Sequence, residues 1–125
     1  MELIRDYDVI DRHGLRAFRS KENISQQALG DMIGVTQRAV SYWEDHREWV
    51  NPCRTNFERL MRLGNPRIID YNGYRWIREQ LAMNQRQFAN AIGVIPKMVS
   101  RYENAESRPS QATFDRIVAL YFANV

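Results

Sequence analysis

Two stretches of 19 residues, QQALGDMIGVTQRAVSYWE at 26–44 and QRQFANAIGVIPKMVSRYE at 85–103, lie 59 positions apart in a chain of 125 residues. Both contain Ile-Gly-Val at the same place, and both end in an aromatic residue followed by Glu. Self-similarity at a fixed offset is typical of a duplicated structural module. The question is which task needs this module twice.

The similarity extends along most of the chain. Identical residues recur 59 positions apart from Ile10 and Ile69 onward, and 57 positions apart as far as Leu63 and Leu120. The first copy therefore carries two extra residues, within a segment that reads EDHREWVNP. We infer two copies of one module. The two predicted domains are residues 1–64 and 65–125.

Composition is that of a soluble globular protein, with 44% hydrophobic and 26% charged residues. No apolar run approaches the roughly 20 residues that a membrane-spanning helix needs. The first residues, MELIRDYDVIDR, mix charges with apolar side chains and are not expected to be a signal peptide. The single cysteine, Cys53, excludes an internal disulfide and is compatible with a reducing cytoplasm.

The distribution of charge is more informative than the net charge of +3. Residues 1–63 carry ten basic and ten acidic residues, whereas residues 64–125 carry eight basic and five acidic residues. Sixteen of the 18 basic residues are Arg, whose guanidinium fits phosphate and guanine with two parallel hydrogen bonds. Most individual arginines are nevertheless expected to be solvated surface residues.

Local signals predict four short helices in each copy and hence an all-α fold. Candidate N-caps open the first two helices, at Asp11 and Asp70 and at Ser25 and Asn84. Glycine is favoured where a helix ends with positive φ, which indicates that the second helix ends at Gly34 and Gly93. The fourth helix is predicted to carry Phe57, Leu60, Met61 and Leu63, or Phe114, Ile117, Val118 and Leu120.

A third helix follows each glycine almost at once. Thr36 is its predicted N-cap in the first copy; in the second copy Ile95 replaces this hydroxyl, and Pro96 takes the first helical position. The small residues Gly30 and Ala89 allow the second and third helices to approach closely. The last apolar residues are expected to follow the fourth helix: Tyr121, Phe122 and Val125. They could complete the core of the second copy, pack between the copies or form a homodimer interface.

Two short helices joined by a tight glycine-containing turn form a helix-turn-helix. The matching residues are Gln26, Gly30, Gly34, Gln37, Arg38, Ser41, Trp43 and Glu44 in the first copy, and Gln85, Ala89, Gly93, Lys97, Ser100, Tyr102 and Glu103 in the second. In these residues both copies resemble the Cro/C1-type (Xre-like) helix-turn-helix family of phage and bacterial repressors. The resemblance implies two tandem lambda-repressor-like helical domains in a cytoplasmic, bacterial or phage-encoded protein.

The same resemblance implies a repressor that binds double-stranded DNA through its third helices. The expected DNA-binding residues are Gln26, Gln27, Gln37, Arg38 and Tyr42, and Gln85, Arg86, Pro96, Lys97 and Arg101. It also implies structural ion pairs, Arg19–Glu44 and Arg78–Glu103, and places Trp43 and Tyr102 in the core. Because Gln and Arg can form two hydrogen bonds with adenine and guanine, the first copy is expected to discriminate sequence more sharply. The second copy, with its greater positive charge, is expected to add more phosphate affinity.

The duplication offers a candidate answer to the opening question, because family members normally dimerise to place two recognition helices about one DNA turn, ~34 Å, apart. One chain with both copies could act as a pseudo-dimeric monomer, and a homodimer is the alternative. The link near Gly64–Arg67 is short, so we expect a fixed relation between the copies. Whether that relation is a pseudo-two-fold or a direct repeat is left open by the sequence.

A rival hypothesis is an antitoxin-like or protein-interaction module in which one copy has lost DNA binding and serves dimerisation or partner docking. An enzyme is not expected, since the sequence has no glycine-rich phosphate loop, paired-His motif or nucleophile with an obvious base. We expect no cofactor, no metal, no small-molecule substrate and no membrane partner. His13 and His46 are interpreted as surface residues and Cys53 as an inert small residue.

Overall fold

The structure, a computed structural model, describes residue 4 and residues 8–45 and 51–125. These residues form eight α-helices and a 3-10 turn, Pro66–Ile68, which lies between α4 and α5. The helices are α1 Arg12–Glu22, α2 Gln26–Ile33, α3 Gln37–Glu44, α4 Arg54–Met61, α5 Tyr71–Gln80, α6 Gln85–Ile92, α7 Pro96–Glu103 and α8 Gln111–Asn124. Ile10 and Ile69 form an isolated antiparallel bridge. The predicted all-α fold class is confirmed.

Side-chain caps fix most of the helix starts where the sequence places them. The Ser25 hydroxyl accepts a hydrogen bond from the Ala28 amide, and Thr36 does the same for Ala39 at the start of α3. Asn84 forms a reciprocal capping box with Gln87 at the start of α6. The second helix of each half ends in a left-handed glycine, with φ of 78° at Gly34 and 76° at Gly93.

Asp11 and Asp70 both occupy the predicted N-cap positions, but only Asp11 caps its helix with its side chain. Asp11 Oδ1 accepts a hydrogen bond from the Gly14 amide at 2.9 Å. Asp70 occupies the N-cap position, but its carboxylate makes no capping hydrogen bond, because the Gly73 amide donates to the Asp70 carbonyl oxygen instead, at 2.8 Å. Burial, with a smaller contribution from the nearby Asp11 carboxylate, raises the pKa of Asp70 to about 6.

The final helix differs from the prediction. Tyr121 and Phe122 were expected beyond the fourth helix of the second copy, whereas α8 continues to Asn124 and contains both. The helix extends because Tyr121 is fully buried, with its ring centroid 6.0 Å from that of Trp76. At the corresponding place in the first half, α4 ends at Met61, so Leu63 lies outside the helix.

The two halves share one hydrophobic core. The edge of one ring meets the face of the other where Phe57 of α4 contacts Trp76 of α5, with centroids 5.2 Å apart. The Tyr121 hydroxyl accepts a hydrogen bond from Arg54 Nε at 3.1 Å, which joins α8 to α4. Since these contacts cross the predicted boundary at residues 64 and 65, the division into two domains stays a prediction. None of the helices in the described part of the chain is long and apolar enough to span a bilayer.

Candidate nucleic-acid interface

Two helix pairs, α2 with α3 and α6 with α7, have the short helix–turn–helix form that the repeated stretches predict. Their bounds are offset by 59 residues in both cases. In the first pair the helices cross so closely that a Cβ added at Gly30 would lie 2.6 Å from the Val35 carbonyl oxygen. The equivalent Ala89 of α6 is completely buried. Small residues at this position therefore set how closely the second helix packs on the turn into the third.

The third helix of the first half is held by a buried carboxylate. Glu44 is 2% exposed, and both of its oxygens bind Arg19 of α1, Nε to Oε2 at 2.6 Å and Nη2 to Oε1 at 2.7 Å. Arg16 Nε lies 3.8 Å from Oε1, and Gln26 Nε2 donates to the same oxygen at 3.2 Å. The hydrogen bond from Arg19 to Glu44 raises the pKa of the guanidinium. One carboxylate thus connects α1, α2 and α3.

The second half repeats this arrangement. Glu103 is 1% exposed and binds Arg78 Nε at 2.7 Å and Nη2 at 2.9 Å. Arg75 lies 3.5 Å from Glu103 Oε1, and Gln85 Nε2 donates to that oxygen at 3.4 Å. Both ion pairs that the family resemblance implied are present. In each half the third helix is consequently fixed relative to the first two before any ligand binds.

Gln26 and Gln85 are more constrained than the sequence suggested. Each is half-buried at the first position of its helix, and one amide N–H is used by the buried Glu. A glutamine amide carries two N–H donors, so a second donor remains for an external acceptor. The internal hydrogen bond orients that donor at the helix N-terminus, where the helix dipole favours an anion.

The first turn of α3 exposes the polar side chains expected to contact bases. Gln37 and Arg38 are exposed, as is Gln27 on α2. Arg38 Nε donates a hydrogen bond to the Tyr42 hydroxyl at 2.6 Å, and its guanidinium carbon lies 5.3 Å from the centre of the Tyr42 ring. Tyr42, half-buried one turn later, therefore orients Arg38 along the outer surface of α3.

The corresponding surface of the second half is more basic. The expected binding residues on this surface are all exposed: Arg86, Pro96, Lys97 and Arg101. Ile95, predicted from the sequence only as a lost cap, is 61% exposed directly before α7. The sequence contains a signal for this exposed residue, because an isoleucine at an N-cap position gives up a hydrogen bond and exposes apolar surface. It adds an apolar contact to the residues facing outward from this end of α7.

Two arginines at equivalent positions, Arg59 and Arg116, bind the C-terminal ends of α2 and α6. Arg59 Nη1 donates to the Ile33 carbonyl at the end of α2, and Arg116 Nη1 donates to the Ile92 carbonyl at the end of α6, each at 3.0 Å. A cation at a helix C-terminus satisfies carbonyls that have no partner within the helix. The sequence showed the recurrence of these arginines without their role.

The remaining candidate residues do not converge on a reactive centre. Within residues 8–45 and 51–125, together with residue 4, no three His, Cys, Asp or Glu side chains lie close enough to hold a metal ion. Cys53 is a buried free thiol, and His13 is exposed on α1. His46 lies outside the described residues. The surface that combines exposed polar residues with a fixed backbone is the start of α3 and of α7.

Comparison with known proteins supports this choice. Residues 75–122 match a family model described as Helix-turn-helix, over a range that runs from α5 into α8 and contains all of α6 and α7. The match supports a DNA-binding regulator of the helix-turn-helix type. It detects one copy, so the presence of a second copy in residues 1–64 stays a prediction. No curated protein and no solved structure is significantly similar to the chain.

Proposed function

We propose that this protein is a sequence-specific transcriptional regulator, a repressor, that inserts α3 and α7 into the major groove of double-stranded DNA. The observation that carries the proposal is the pair of exposed polar surfaces at the starts of α3 and α7. Each of these helices is held by its own buried Arg–Glu ion pair. The match of residues 75–122 to the helix-turn-helix model supports it for the second surface. The 59-residue offset of helices and ion pairs extends it to the first.

In the proposed complex α3 supplies most of the hydrogen bonds to bases. The major groove presents a distinct pattern of donors and acceptors for each base pair, and the first turn of a recognition helix contacts it. Gln37 has the geometry to pair with adenine, and Arg38 has the geometry to pair with guanine. Since Tyr42 orients Arg38 in the free protein, less side-chain entropy is lost on binding.

The second surface contributes more charge and an apolar contact. Lys97 and Arg101 on α7, with Arg86 on α6, lie exposed beside the N-terminus of α6, which itself favours phosphate. Pro96 supplies no donor. Ile95, directly before it, offers apolar surface to a thymine methyl group. This half is therefore proposed to provide phosphate affinity together with a preference for thymine.

Selection of bound sites from a random duplex pool tests the proposal, at about 150 mM salt so that phosphate attraction alone does not carry binding. Enrichment of two motifs at one fixed spacing would support both surfaces as DNA-binding. A single enriched motif would assign the other half to phosphate contact or to docking of a partner protein, as in the antitoxin-like alternative. Absence of any enriched motif would refute sequence-specific binding.

A further inference from the structure

The two halves meet at a residue that pairs with its own counterpart. Ile10 and Ile69 occupy equivalent positions, 59 residues apart, and they form an antiparallel bridge with each other. In a head-to-tail arrangement, a residue of one copy contacts a different position of the next copy. Self-pairing is instead the property of a two-fold axis, where the same patch is used by both partners.

The backbone hydrogen bonds around this bridge are reciprocal. The Asp11 amide donates to the Ile68 carbonyl at 2.8 Å, and the Asp70 amide donates to the Val9 carbonyl at 3.0 Å. Asp70 is the counterpart of Asp11, and Ile68 is the counterpart of Val9. Exchanging the two halves therefore converts one hydrogen bond into the other.

Farther from the bridge, two hydrogen bonds join equivalent pairs of positions, one to a side-chain hydroxyl and the other to a main-chain carbonyl. Arg54 Nε donates to the Tyr121 hydroxyl at 3.1 Å, and Gln111 Nε2 donates to the Gly64 carbonyl at 2.6 Å. At the 57-residue offset that holds for the fourth helices, Gln111 is the counterpart of Arg54 and Tyr121 is the counterpart of Gly64. The two halves are thus related by a local two-fold axis that passes beside Ile10 and Ile69.

Both candidate recognition helices end close to this axis. Arg12, two residues after Ile10, donates to the carbonyls of Tyr42 and Trp43 at the end of α3, at 2.9 and 2.6 Å. Tyr102, in the last turn of α7, lines one cavity with Ile69, and Arg108, in the loop after α7, donates to the Ile69 carbonyl at 3.0 Å. The C-terminal ends of α3 and α7 therefore flank the axis.

We propose that one chain binds an operator with two inverted half-sites, which together form an imperfect inverted repeat; this inference rests on the proposed function. A two-fold rotation reverses the direction of α7 relative to α3, so the two helices meet opposite strand polarities. The half-sites are unequal because the first turn of α3 presents Gln37 and Arg38, whereas α7 presents Pro96 and Lys97. A symmetric homodimer would instead select two identical half-sites.

The proposal also specifies one chain per operator. The surfaces that a two-fold dimer would use are already joined within this chain, through residues 9–11 and 68–70 and through α4 and α8. Covalent linkage makes binding of the second half-site intramolecular, which raises affinity by about 10²-fold or more over a single half-site. Because the joint is a hydrogen-bonded contact, that gain is restricted to a narrow range of half-site separations.

Rearranged duplexes test the proposal. The two half-motifs from the selection are placed in inverted order, head to head or tail to tail, and in direct order, over a series of separations, with a duplex that carries one half-motif as the reference. We measure the dissociation constant by fluorescence anisotropy and the stoichiometry by sedimentation. We expect one inverted order to bind at least about 100-fold tighter than the single half-motif, with one chain per duplex.

Three results would overturn the inference while leaving the proposed function intact: a direct repeat that binds as tightly, two chains per duplex, or selected half-motifs that are identical. Failure to bind any selected duplex more tightly than random DNA would instead reject the proposed function itself. Arg38→Ala separates the two half-sites, because it is expected to remove the base preference at one half-motif only. Equal effects at both half-motifs would contradict the assignment of one half-site to each half of the chain.

Discussion

Arg19 and Glu44 form a doubly hydrogen-bonded ion pair that joins α1 to α3, with Nε–Oε2 and Nη2–Oε1 distances of 2.6 and 2.7 Å. The carboxylate is almost completely buried, and Arg78 and Glu103 reproduce the pair in the second half. Such a pair contributes little net stability compared with an apolar replacement, but it fixes geometry. Here it ties the C-terminal end of α3 to α1.

Removal of Arg19 is therefore expected to be costly. Arg19→Ala leaves the Glu44 carboxylate buried without its principal partner, which should lower the free energy of unfolding by about 3–5 kcal/mol. Urea denaturation followed by circular dichroism measures the change. Arg16→Ala is the matched control, since the Arg16 side chain is 55% exposed and its removal should cost less than about 1 kcal/mol. Equal losses in the two variants would contradict the special role of Arg19.

Restoring the missing cap of α7 should trade DNA contact for stability. Ile95→Thr introduces a hydroxyl at an N-cap with extended backbone, φ −81° and ψ 153°, and should raise the free energy of unfolding by about 1 kcal/mol. The same change removes exposed apolar surface from the proposed thymine contact, so affinity for the second half-motif should fall. Thr36→Ala is the reverse control and should destabilise by about 1 kcal/mol. Since threonine keeps one methyl group, Ile95→Ser is the stricter test, and its unchanged affinity would exclude Ile95 from the interface.

Arg38 and Lys97 are expected to act on DNA in different ways. Arg38→Ala should relax base preference at one position of the selected motif by about 1–3 kcal/mol. Lys97→Ala should weaken all sequences alike and reduce the slope of log K against log salt by about 1. Binding titrations between about 50 and 300 mM salt, roughly a sixfold range of salt concentration, distinguish the two. Lys21→Ala, which removes one charge from an exposed position of α1, should leave both the base preference and the salt slope unchanged.

Gly14 lies at the contact between the two halves, where it faces the backbone at Arg67. A Cβ at Gly14 would lie 1.7 Å from the Arg67 carbonyl oxygen, so Gly14→Ala must displace backbone. Helix propensity alone would make this change stabilising by about 1 kcal/mol, whereas the clash should make it destabilising by about 1–3 kcal/mol or more. Ala119→Gly, at an exposed position of α8, measures propensity alone and should cost about 1 kcal/mol. A stabilised Gly14→Ala variant would refute the close contact.

Asp70 should give the protein a distinct pH dependence. Its pKa is raised by burial from 3.8 to about 6 in the folded state, so folding disfavours the charged carboxylate. The resulting penalty is present above pH 6 and is lost as the pH falls toward 4. Asp70→Asn keeps a good N-cap residue and should therefore be more stable than the wild type at pH 7.5. The advantage should shrink between pH 6 and pH 4, and a pH-independent difference would contradict this assignment.

Much of this architecture could be predicted because its signals are local. The glycines at 34 and 93 and the hydroxyl or amide caps at Ser25, Thr36 and Asn84 depend on neighbouring residues alone. The 59-residue offset is visible directly in the sequence. The missing side-chain cap at Asp70 could not be predicted, because it depends on a backbone hydrogen bond from Gly73 and on the burial of the carboxylate. The continuation of α8 through Tyr121 depends on Trp76 and Arg54, which are distant in the sequence.

The joint between the halves shows the same limit. Gly14 and Gly73 recur in the sequence, but nothing local indicates that each faces the backbone of the other half. The side chains that face outward were easier to predict, because exposure at the start of a helix follows from position. Their assignment to particular bases remains a prediction, since it depends on a ligand geometry that the chain alone does not fix.

The self-pairing of Ile10 with Ile69 has an evolutionary consequence. In a homodimer every mutation appears twice, so both binding surfaces must change together and a favourable substitution on one side is imposed on the other. A duplicated gene fused across the same axis escapes this constraint. In the proposed two-fold arrangement, Trp76 and its counterpart Ala17, or Arg38 and its counterpart Lys97, are positions at which the two halves differ, while Ile10 still pairs with Ile69. In such a protein the recognition residues of one half can change without those of the other, so the chain can still bind an operator whose two half-sites have become different.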